Sequence, residues 1–397
     1  MNTNWKQIES KYYMYAVRRQ PVVIVRGNGT KVWDDGGKEY LDFTSGWAVN
    51  NVGHSNSVVA KAIANQAETL LQTSNQFYTV PQLQLAQLLV DNSCLDKVFI
   101  CNSGAEANEG AVKLARKYGK VHLNGAYQVI TALNSFHGRT LAMTAATGQA
   151  HYQEPYQPVP EGFPHVPYGD INALKSATTD KTAAIMLEPV QGEGGVNVPS
   201  VDYLEAVRAW CDEKNILLIF DEVQTGIGRL GTLFGYQVFG VEPDVMTLAK
   251  GLGGGVPIGA FLAKERASVF EPKGEHGSTF GGNALTSAAA YASTKYVLDN
   301  DLCQKAKDDG EYLGRALNGM KDRLECVKDI RGLGLLWAIE FQSDLASELY
   351  SVCIEDGLLL GLLGPNSIRL MPPLTVELGE IDQAVQSLER GISQVSK

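Results

Sequence analysis

The segment "VMTLAKGLGGGVPIGA" (Val245–Ala260) joins an apolar run to a glycine-rich loop through a single amine. Lys250 ends the apolar run, and glycines follow it at positions 251 and 253–255. Short apolar runs of this kind are typical of strands buried on both faces, as in a parallel sheet. Ligands of open α/β sheets bind beyond the carboxyl ends of the strands, so Lys250 lies where a ligand is expected.

Similar apolar runs recur through the middle of the chain. Helical patterns separate them, and one of these, "SVDYLEAVRAWCDEKN", offers Ser200 as its N-cap. Alternation of strands and helices predicts an α/β domain with a mainly parallel sheet. The predicted strands lie within residues 97–103, 128–136, 183–190, 216–223, 244–250 and 258–263.

The two ends of the chain have a different pattern. Residues 20–43 are β-like with glycine turns and predict a small antiparallel ribbon. Apolar residues at 381, 384, 385, 388 and 392 predict a C-terminal helix with one buried face. We therefore predict a large domain over residues 51–282 and a smaller domain built from residues 1–50 and 283–397. Residues 154–170 contain five prolines and predict an ordered surface loop.

Composition limits the possible partners. The net charge of -10 disfavours binding to nucleic acid or to an anionic membrane. The six cysteines form no C-x-x-C pair, which argues against a disulfide framework and a zinc site, so no metal is expected. The N-terminus lacks the apolar region of a signal peptide, and the longest apolar stretch, residues 357–364, is too short to span a bilayer. We expect a cytoplasmic protein.

Two groups of residues at the strand ends are candidates for binding and catalysis. Ser103 and Gly104 begin a helix whose free N–H groups could bind an anion, although Ser103 could equally be a plain N-cap. Asp221 ends a buried strand near Lys250, and an amine at a desolvated position is a candidate Schiff-base nucleophile. Taken singly, Asp221 could be a turn cap and Lys250 a solvated surface lysine.

The segment "NSFHGRT" adds an aromatic ring and a guanidinium group. Phe136 could stack on a flat ligand, and Arg139 could hold a carboxylate with two hydrogen bonds. A core phenylalanine and a surface arginine are the alternatives. "GSTFGGN" (277–283) places two hydroxyls among glycines, and its alternative is a flexible loop.

Nine segments in this order cover nearly the whole chain and together resemble one family, the subgroup-III (ornithine-type) aminotransferases. The resemblance implies the pyridoxal 5′-phosphate (PLP)-dependent transferase fold type I, with a mainly parallel, seven-stranded-type sheet in the large domain and a smaller α+β domain. The segments are "VWDDGGKEYLDF", "AVNNVGH", "NSGAEANEGAVKLAR", "SFHGRT", "EPVQGEGGV", "FDEVQTGIGRLG", "TLAKGLGGGVPIGA", "GSTFGGN" and "IRLMPPL".

The resemblance also implies a role for each candidate residue. Lys250 and Asp221 would be catalytic, with Lys250 holding PLP covalently and Asp221 facing its pyridine nitrogen. Gln224 would bind the phenolic oxygen of the ring and Phe136 would stack on it. The remaining cofactor contacts would come from Ser103, Gly104 and Ala105 at the phosphate, from Glu222 and Val223, and from Thr279 of the other subunit of a homodimer with shared active sites.

For the substrates, which are small amino and oxo acids, the resemblance implies two arginines and a gate. Arg369 would bind the α-carboxylate of glutamate, Arg139 would bind the distant α-carboxylate of the amine donor, and Ser278 of the other subunit would touch the substrate. Glu193 would pair with Arg369 for one substrate and swing away for the other. Trp47 stands where relatives mostly carry a smaller aliphatic residue; it could narrow the pocket beside the ring, which leaves the substrate preference open.

Within the family, the sequence is most similar to members that act on N-acetylornithine. That similarity implies transfer of the δ-amine of N-acetylornithine to 2-oxoglutarate, giving N-acetylglutamate 5-semialdehyde and glutamate, as in arginine biosynthesis. Ornithine, succinylornithine and 4-aminobutyrate remain alternative amine donors.

Two readings lie outside this class. A nicotinamide dehydrogenase could use the same sheet, but the G-x-G-x-x-G loop is missing. A non-catalytic PLP-fold binding protein would need a broken site, whereas Lys250, Asp221, Arg139 and Arg369 are all present.

Overall fold

The computed structural model describes residues 4–396, and its centre is a seven-stranded sheet. The order of its strands is β4-β10-β9-β8-β7-β5-β6. β10 is antiparallel to both of its neighbours, and the other neighbouring strands pair in parallel. The strands of the chain are β1 (Ile24–Asn28), β2 (Lys31–Asp34), β3 (Glu39–Asp42), β4 (Lys97–Cys101), β5 (Gln128–Ala132), β6 (His165–Val166), β7 (Thr182–Leu187), β8 (Leu217–Asp221), β9 (Val245–Leu248), β10 (Gly259–Ala263), β11 (Val327–Leu333), β12 (Leu336–Phe341), β13 (Leu358–Leu359), β14 (Gly361–Leu362) and β15 (Ser367–Leu370).

Helices cover both faces of this sheet. The α-helices of the described residues are α1 (Trp5–Tyr12), α2 (Ser45–Ala48), α3 (Ser57–Thr69), α4 (Val80–Asp91), α5 (Gly104–His122), α6 (Leu141–Ala146), α7 (Ala150–Gln153), α8 (Ile171–Ala177), α9 (Val201–Lys214), α10 (Tyr236–Phe239), α11 (Ala284–Asp299), α12 (Leu302–Lys321), α13 (Ala346–Glu355) and α14 (Leu378–Val395). Over residues 4–396, none of them combines the length and the apolar character that crossing a bilayer requires.

Strand β8 shows why the central strands are apolar throughout. Leu218 and Phe220 point into one hydrophobic core, whereas Leu217 and Ile219 point into a second core on the opposite face. Successive side chains of a strand alternate between faces, so a strand covered on both faces needs apolar residues at every position. The prediction of a mainly parallel, doubly covered sheet is confirmed.

The two ends of the chain share a sheet, as the ribbon pattern suggested. β1, β2 and β3 pair antiparallel, and β13 adds to β3 in parallel. A third sheet, of order β11-β12-β15-β14, contains only C-terminal strands. This pairing supports one smaller domain made of both ends. Its boundaries, residues 1–50 and 283–397, stay a prediction, and residues 1–3 and 397 lie outside the described chain.

Two local predictions are confirmed, the N-cap of α9 and the buried face of α14. Ser200 caps α9 by accepting a hydrogen bond from Tyr203 N at 3.2 Å, and α14 buries all five apolar positions expected of it. The proline-rich segment 154–170 contains a feature that was not predicted. His165 and Val166 form the edge strand β6, a position where prolines on either side do little harm because one edge of the strand needs no partner.

Candidate active site

The carboxyl ends of the parallel strands surround a cavity of about 470 Å³. Lys250 follows β9, Asp221 ends β8, Glu188 follows β7 and Phe136 follows β5, and all four side chains line this cavity. Strands that run the same way bring residues distant in sequence to one edge. The cavity is therefore the candidate active site.

Lys250 stands in a strained backbone position at the floor of the cavity. Its φ of 42° lies in the left-handed region that side-chain-bearing residues rarely adopt. Among residues 4–396, its amine has no hydrogen-bond or ion-pair partner. Burial lowers the pKa of Lys250, and the negative charge of Glu193 opposes that shift. A lysine held in this way is prepared to act as a neutral nucleophile and proton carrier.

Hydrogen bonds fix the position of the buried Asp221 carboxylate. Asn108 Nδ2 donates to Asp221 Oδ2 at 2.7 Å, and His137 Nδ1 lies 2.8 Å from the same oxygen. Val223 N donates to Asp221 Oδ1 at 3.0 Å, and Thr247 Oγ1 donates to Asn108 Oδ1 at 2.6 Å. The carboxylate is buried, and its orientation toward the cavity is set by these four neighbours.

The N-terminus of α5 opens into the same cavity. Ser103 caps the helix by accepting a hydrogen bond from Glu106 N at 3.2 Å, which leaves the N–H groups of Gly104 and Ala105 without an intrahelical partner. A Cβ on Gly104 would lie 2.9 Å from Val223 Cγ1, so glycine keeps the cavity open here. Free N–H groups and the helix dipole together favour an anion.

Arg139 lies at the side of the cavity on two aromatic rings. Its guanidinium carbon is 4.2 Å from the ring centre of Tyr152 and 5.3 Å from that of Phe136. The two rings meet edge to face, 5.7 Å apart. Within residues 4–396, Arg139 has no carboxylate partner, so its cationic group remains available for an acidic ligand.

Arg369 differs from Arg139 because a carboxylate already covers it. This fully buried arginine donates from Nη2 to Glu193 Oε1 at 2.9 Å and from Nη1 to Gln224 Oε1 at 3.1 Å. Burial alone would raise the pKa of Glu193, but the charges of Arg369 and Lys250 outweigh it and hold that pKa low. The Glu193–Arg369 pair is therefore ionised in this state.

Glu188 is a third carboxyl group at the cavity, beside Asp221 and Glu193, and among residues 4–396 it has no basic partner. It accepts only two long hydrogen bonds, from Phe136 N at 3.3 Å and Gly192 N at 3.4 Å. Burial, reinforced by the charge of Asp221, raises the pKa of Glu188 well above its usual value. A neutral Glu188 avoids placing a second uncompensated negative charge beside Asp221.

Five residues named from the sequence do not line the cavity, and one of them is Arg369, which Glu193 and Gln224 cover. Glu222, expected at the cofactor, turns away and accepts hydrogen bonds from Gly235 N and from Tyr236 N at 2.8 Å. Ser278 Oγ instead bonds Asn102 Nδ2 at 3.0 Å, and the Thr279 carbonyl accepts from Gln72. Trp47 is 59% exposed and does not line the cavity of its own chain.

Sequence reasoning missed Asn108 and Thr247, which hold Asp221 in place. Asn108 lies one helical turn after Gly104 and faces the sheet, where it is almost completely buried. A polar side chain within the otherwise apolar buried stripe of an amphipathic helix is unusual, and that pattern was the available signal.

Comparison with known proteins agrees with this geometry over the full chain. The family model for class-III aminotransferases matches residues 12–392. This chain belongs to the class-III aminotransferases. It is 48% identical to the acetylornithine aminotransferase of Methanocaldococcus jannaschii, with 99% of each chain covered.

Solved structures of other aminotransferases share the fold. The acetylornithine aminotransferase from Elizabethkingia anophelis matches with a TM-score of 0.88 and 35% identity, covering 98% of each chain. The ornithine aminotransferase from Toxoplasma gondii, crystallised with oxidised glutathione, matches with a TM-score of 0.94 and 34% identity over 99% of this chain and 94% of that one. That structure is described as having partial occupancy of PLP at its active site.

Class-III aminotransferases use PLP, and the cavity of this aminotransferase fits that cofactor. It offers an unpartnered lysine amine, a buried carboxylate fixed by Asn108 and His137, and free N–H groups beside Gly104 for a phosphate. Residues 4–396 contain no cluster of acidic, histidine or cysteine side chains arranged to hold a metal ion. The chain is therefore a PLP-dependent transaminase.

Proposed function

We propose that this transaminase moves the δ-amine of N-acetylornithine to 2-oxoglutarate, giving N-acetylglutamate 5-semialdehyde and glutamate, a step of arginine biosynthesis. The arrangement of two arginines around Lys250 supports this proposal most strongly. Arg139 is uncovered, whereas Arg369 is covered by Glu193. Curated relatives named acetylornithine aminotransferases, at 43–49% identity, support the same choice.

The covered arginine selects how the amine donor binds. N-acetylornithine carries its carboxylate at the end opposite its reacting amine, so Arg139 would take that carboxylate while Glu193 neutralises Arg369. An uncovered Arg369 would face an uncharged part of the donor and would be left buried without a counter-ion, which is costly. Glutamate and 2-oxoglutarate bring a carboxylate next to the reacting carbon, and this carboxylate would replace Glu193 on Arg369.

The residues that would hold PLP follow from the same cavity. Lys250 Nζ would hold it covalently, Asp221 would stabilise a proton on the ring nitrogen, and Phe136 would cover one face of the ring. The N–H groups of Gly104 and Ala105, next to Ser103, would bind the phosphate. Bound PLP supplies a ring that withdraws electrons from the carbon bearing the amine.

The proton transfers would fall to Lys250. When it is not attached to PLP, Lys250 Nζ would take a proton from the donor carbon that bears the amine, and the lowered pKa of Lys250 favours the unprotonated form that this needs. The same amine would return that proton to the carbon on the far side of the amine nitrogen without help from water. Gln224 is hydrogen-bonded to both Glu193 and Arg369, and would bind the phenolic oxygen of the cofactor ring.

A homodimer with shared active sites is part of the proposal. Thr279 and Ser278 lie outside the cavity of their own chain, and Phe280 beside them is 63% exposed. Phe77 and Tyr78 are also exposed, at 65% and 93%. Large apolar side chains exposed beside an active-site loop favour burial by a second copy, which would bring Thr279 to the phosphate of its neighbour.

Six free cysteines support placement in a reducing compartment such as the cytoplasm.

A panel of amine donors tests the substrate. We expect PLP-loaded enzyme with 2-oxoglutarate to show its highest kcat/KM with N-acetylornithine, and Lys250→Ala protein to show no turnover. Higher kcat/KM with ornithine, succinylornithine or 4-aminobutyrate would reassign the donor within the family. Loss of the yellow colour of the holoenzyme on mixing with each donor gives an independent measure of the first half-reaction.

A further inference from the structure

Two arginines lie at aligned positions across the third sheet, of order β11-β12-β15-β14. Arg331 of β11 is directly opposite Ala338 of β12, and Ala338 is directly opposite Arg369 of β15. Residues directly opposite each other in antiparallel strands point to the same face, so both guanidinium groups leave the sheet on one side, about 10 Å apart at their backbones. Alanine between them leaves room for both side chains.

Both arginines hold the short loop that carries Glu193. Arg369 donates to the Glu193 carboxylate at 2.9 Å, and Arg331 Nε donates to the carbonyl of Gly195 at 2.7 Å. The base of the loop is closed by paired backbone hydrogen bonds between Gln191 and Asn197, at 3.0 and 3.1 Å. The loop that carries Glu193 is therefore closed at its base by backbone hydrogen bonds. It is attached to the sheet by the Arg331–Gly195 hydrogen bond, in addition to the Glu193–Arg369 ion pair.

Arg331 cannot serve as a substrate carboxylate site in this arrangement. Its Nη1 is already bonded to Glu340 at 2.7 Å and to Asp329 at 3.0 Å, and the Nε bond goes to the loop. Two carboxylates neutralise its charge. What Arg331 contributes to the site is the position of the Gly195 carbonyl, and through it the position of Glu193.

A second cavity, of about 410 Å³, lies on the other side of Glu193. Glu193 lines both this cavity and the active-site cavity, so the Glu193 loop forms the wall between them. The second cavity is lined by polar side chains that can solvate a carboxylate, including Asn134, Gln149 and Asn366. It offers a place for the Glu193 carboxylate when another carboxylate occupies Arg369.

We propose that Arg331 is a specificity-determining positioning residue that holds the Glu193 loop over Arg369 while the amine donor reacts. The polar cavity behind the loop receives the Glu193 carboxylate when glutamate or 2-oxoglutarate binds Arg369. This inference rests on the proposed function, because it needs two substrates that differ in their use of Arg369.

Single-turnover kinetics of Arg331→Gln holoenzyme test the proposal. N-acetylornithine and glutamate both react with the PLP form, so their specificity ratio is measured on one enzyme preparation. We expect this ratio to fall about 5-fold or more, through weaker binding of N-acetylornithine and not through a slower step at saturation. Arg331→Lys, which keeps the charge without the forked donors, is expected to give an intermediate ratio.

Arg323→Gln is the matched control. Arg323 makes a two-bond ion pair with Glu389, at 2.7 and 2.9 Å, on the surface of the C-terminal part of the chain. We expect its specificity ratio to equal that of the wild type. Equal losses with both substrates in Arg331→Gln would indicate a merely structural role and overturn the proposal.

A double variant that combines Arg331→Gln with Glu193→Ala separates the proposed role of Arg331 from a general loss of structure. If Arg331 acts only through Glu193, adding Arg331→Gln to Glu193→Ala changes the ratio no further. An effect of equal size in the presence and absence of Glu193 would contradict the proposal. Failure of the wild type to react with either substrate would instead contradict the proposed function, whereas a shifted ratio for another donor against glutamate would still support the role of Arg331.

Discussion

At the scale of single residues, the candidate active site depends on which charges are covered. Asp221 is fixed by Asn108 and His137, and Arg369 is covered by Glu193. Arg139 rests on aromatic rings and has no acidic partner in the described part of the chain. A guanidinium group that lies over aromatic rings keeps its N–H donors free in its own plane. These donors can then bind a carboxylate of the substrate.

Arg139→Gln tests that arrangement. Removing the cation should reduce kcat/KM for N-acetylornithine about 10- to 100-fold, the loss expected for hydrogen bonds to a charged group. Putrescine, a diamine without a carboxylate, is the control donor, and its slow reaction should be unaffected. Steady-state kinetics with the two donors measure the difference. An equal decrease for putrescine would contradict the assignment of Arg139.

At the scale of elements, β8 and the residues after it show which site residues a sequence pattern predicts and which it does not. Lys250 and Asp221 could be predicted because each stands at the end of an apolar strand pattern, whereas Arg369 was implied by the family resemblance of its segment. Glu222 was misplaced because neighbouring residues of an extended chain point to opposite sides, so the residue after Asp221 faces away from the cavity. Asn108 and Arg331 could not be assigned, since their contacts come from elements distant in sequence.

Glu222 gives a prediction about pH and stability. Burial raises the pKa of Glu222 from 4.5 to about 7. Below pH 4.5 the carboxyl is protonated in both states, and between pH 4.5 and 7 the unfolded chain loses its proton first. The wild type should therefore lose up to about 3 kcal/mol of unfolding free energy across that window relative to Glu222→Gln, with a constant difference above pH 7.

Denaturant unfolding at a series of pH values measures this effect. The exposed Glu205→Gln variant is the control and should follow the wild type at every pH. A stability difference between Glu222→Gln and the wild type that does not change between pH 4.5 and 7 would show that the folded protein does not hold Glu222 protonated.

At the scale of the whole molecule, the C-terminal strands form the third sheet, which supplies Arg369, while the central sheet supplies Lys250 and Asp221. The strand pattern predicted both parts, but it could not show that Thr279 lies away from its own cavity. That placement makes a second copy of the chain part of the proposed site.

Hybrid dimers test the shared site. Thr279→Ala alone should weaken PLP binding. After subunit exchange with inactive Lys250→Ala protein, half of the hybrid sites combine a normal Lys250 with a normal Thr279, so activity at limiting PLP should rise above that of Thr279→Ala alone. Mixing Lys250→Ala with Asp221→Ala should restore nothing, because those two residues act within one chain. No recovery in the first mixture would contradict the shared site.

The central claim is that Lys250 holds the cofactor at this cavity. Borohydride reduction of the holoenzyme, followed by digestion and mass spectrometry, locates the attachment directly. The structure predicts one pyridoxyl group per chain, on the peptide that contains Lys250. A pyridoxyl group on another lysine, or full turnover with none on Lys250, would contradict the account.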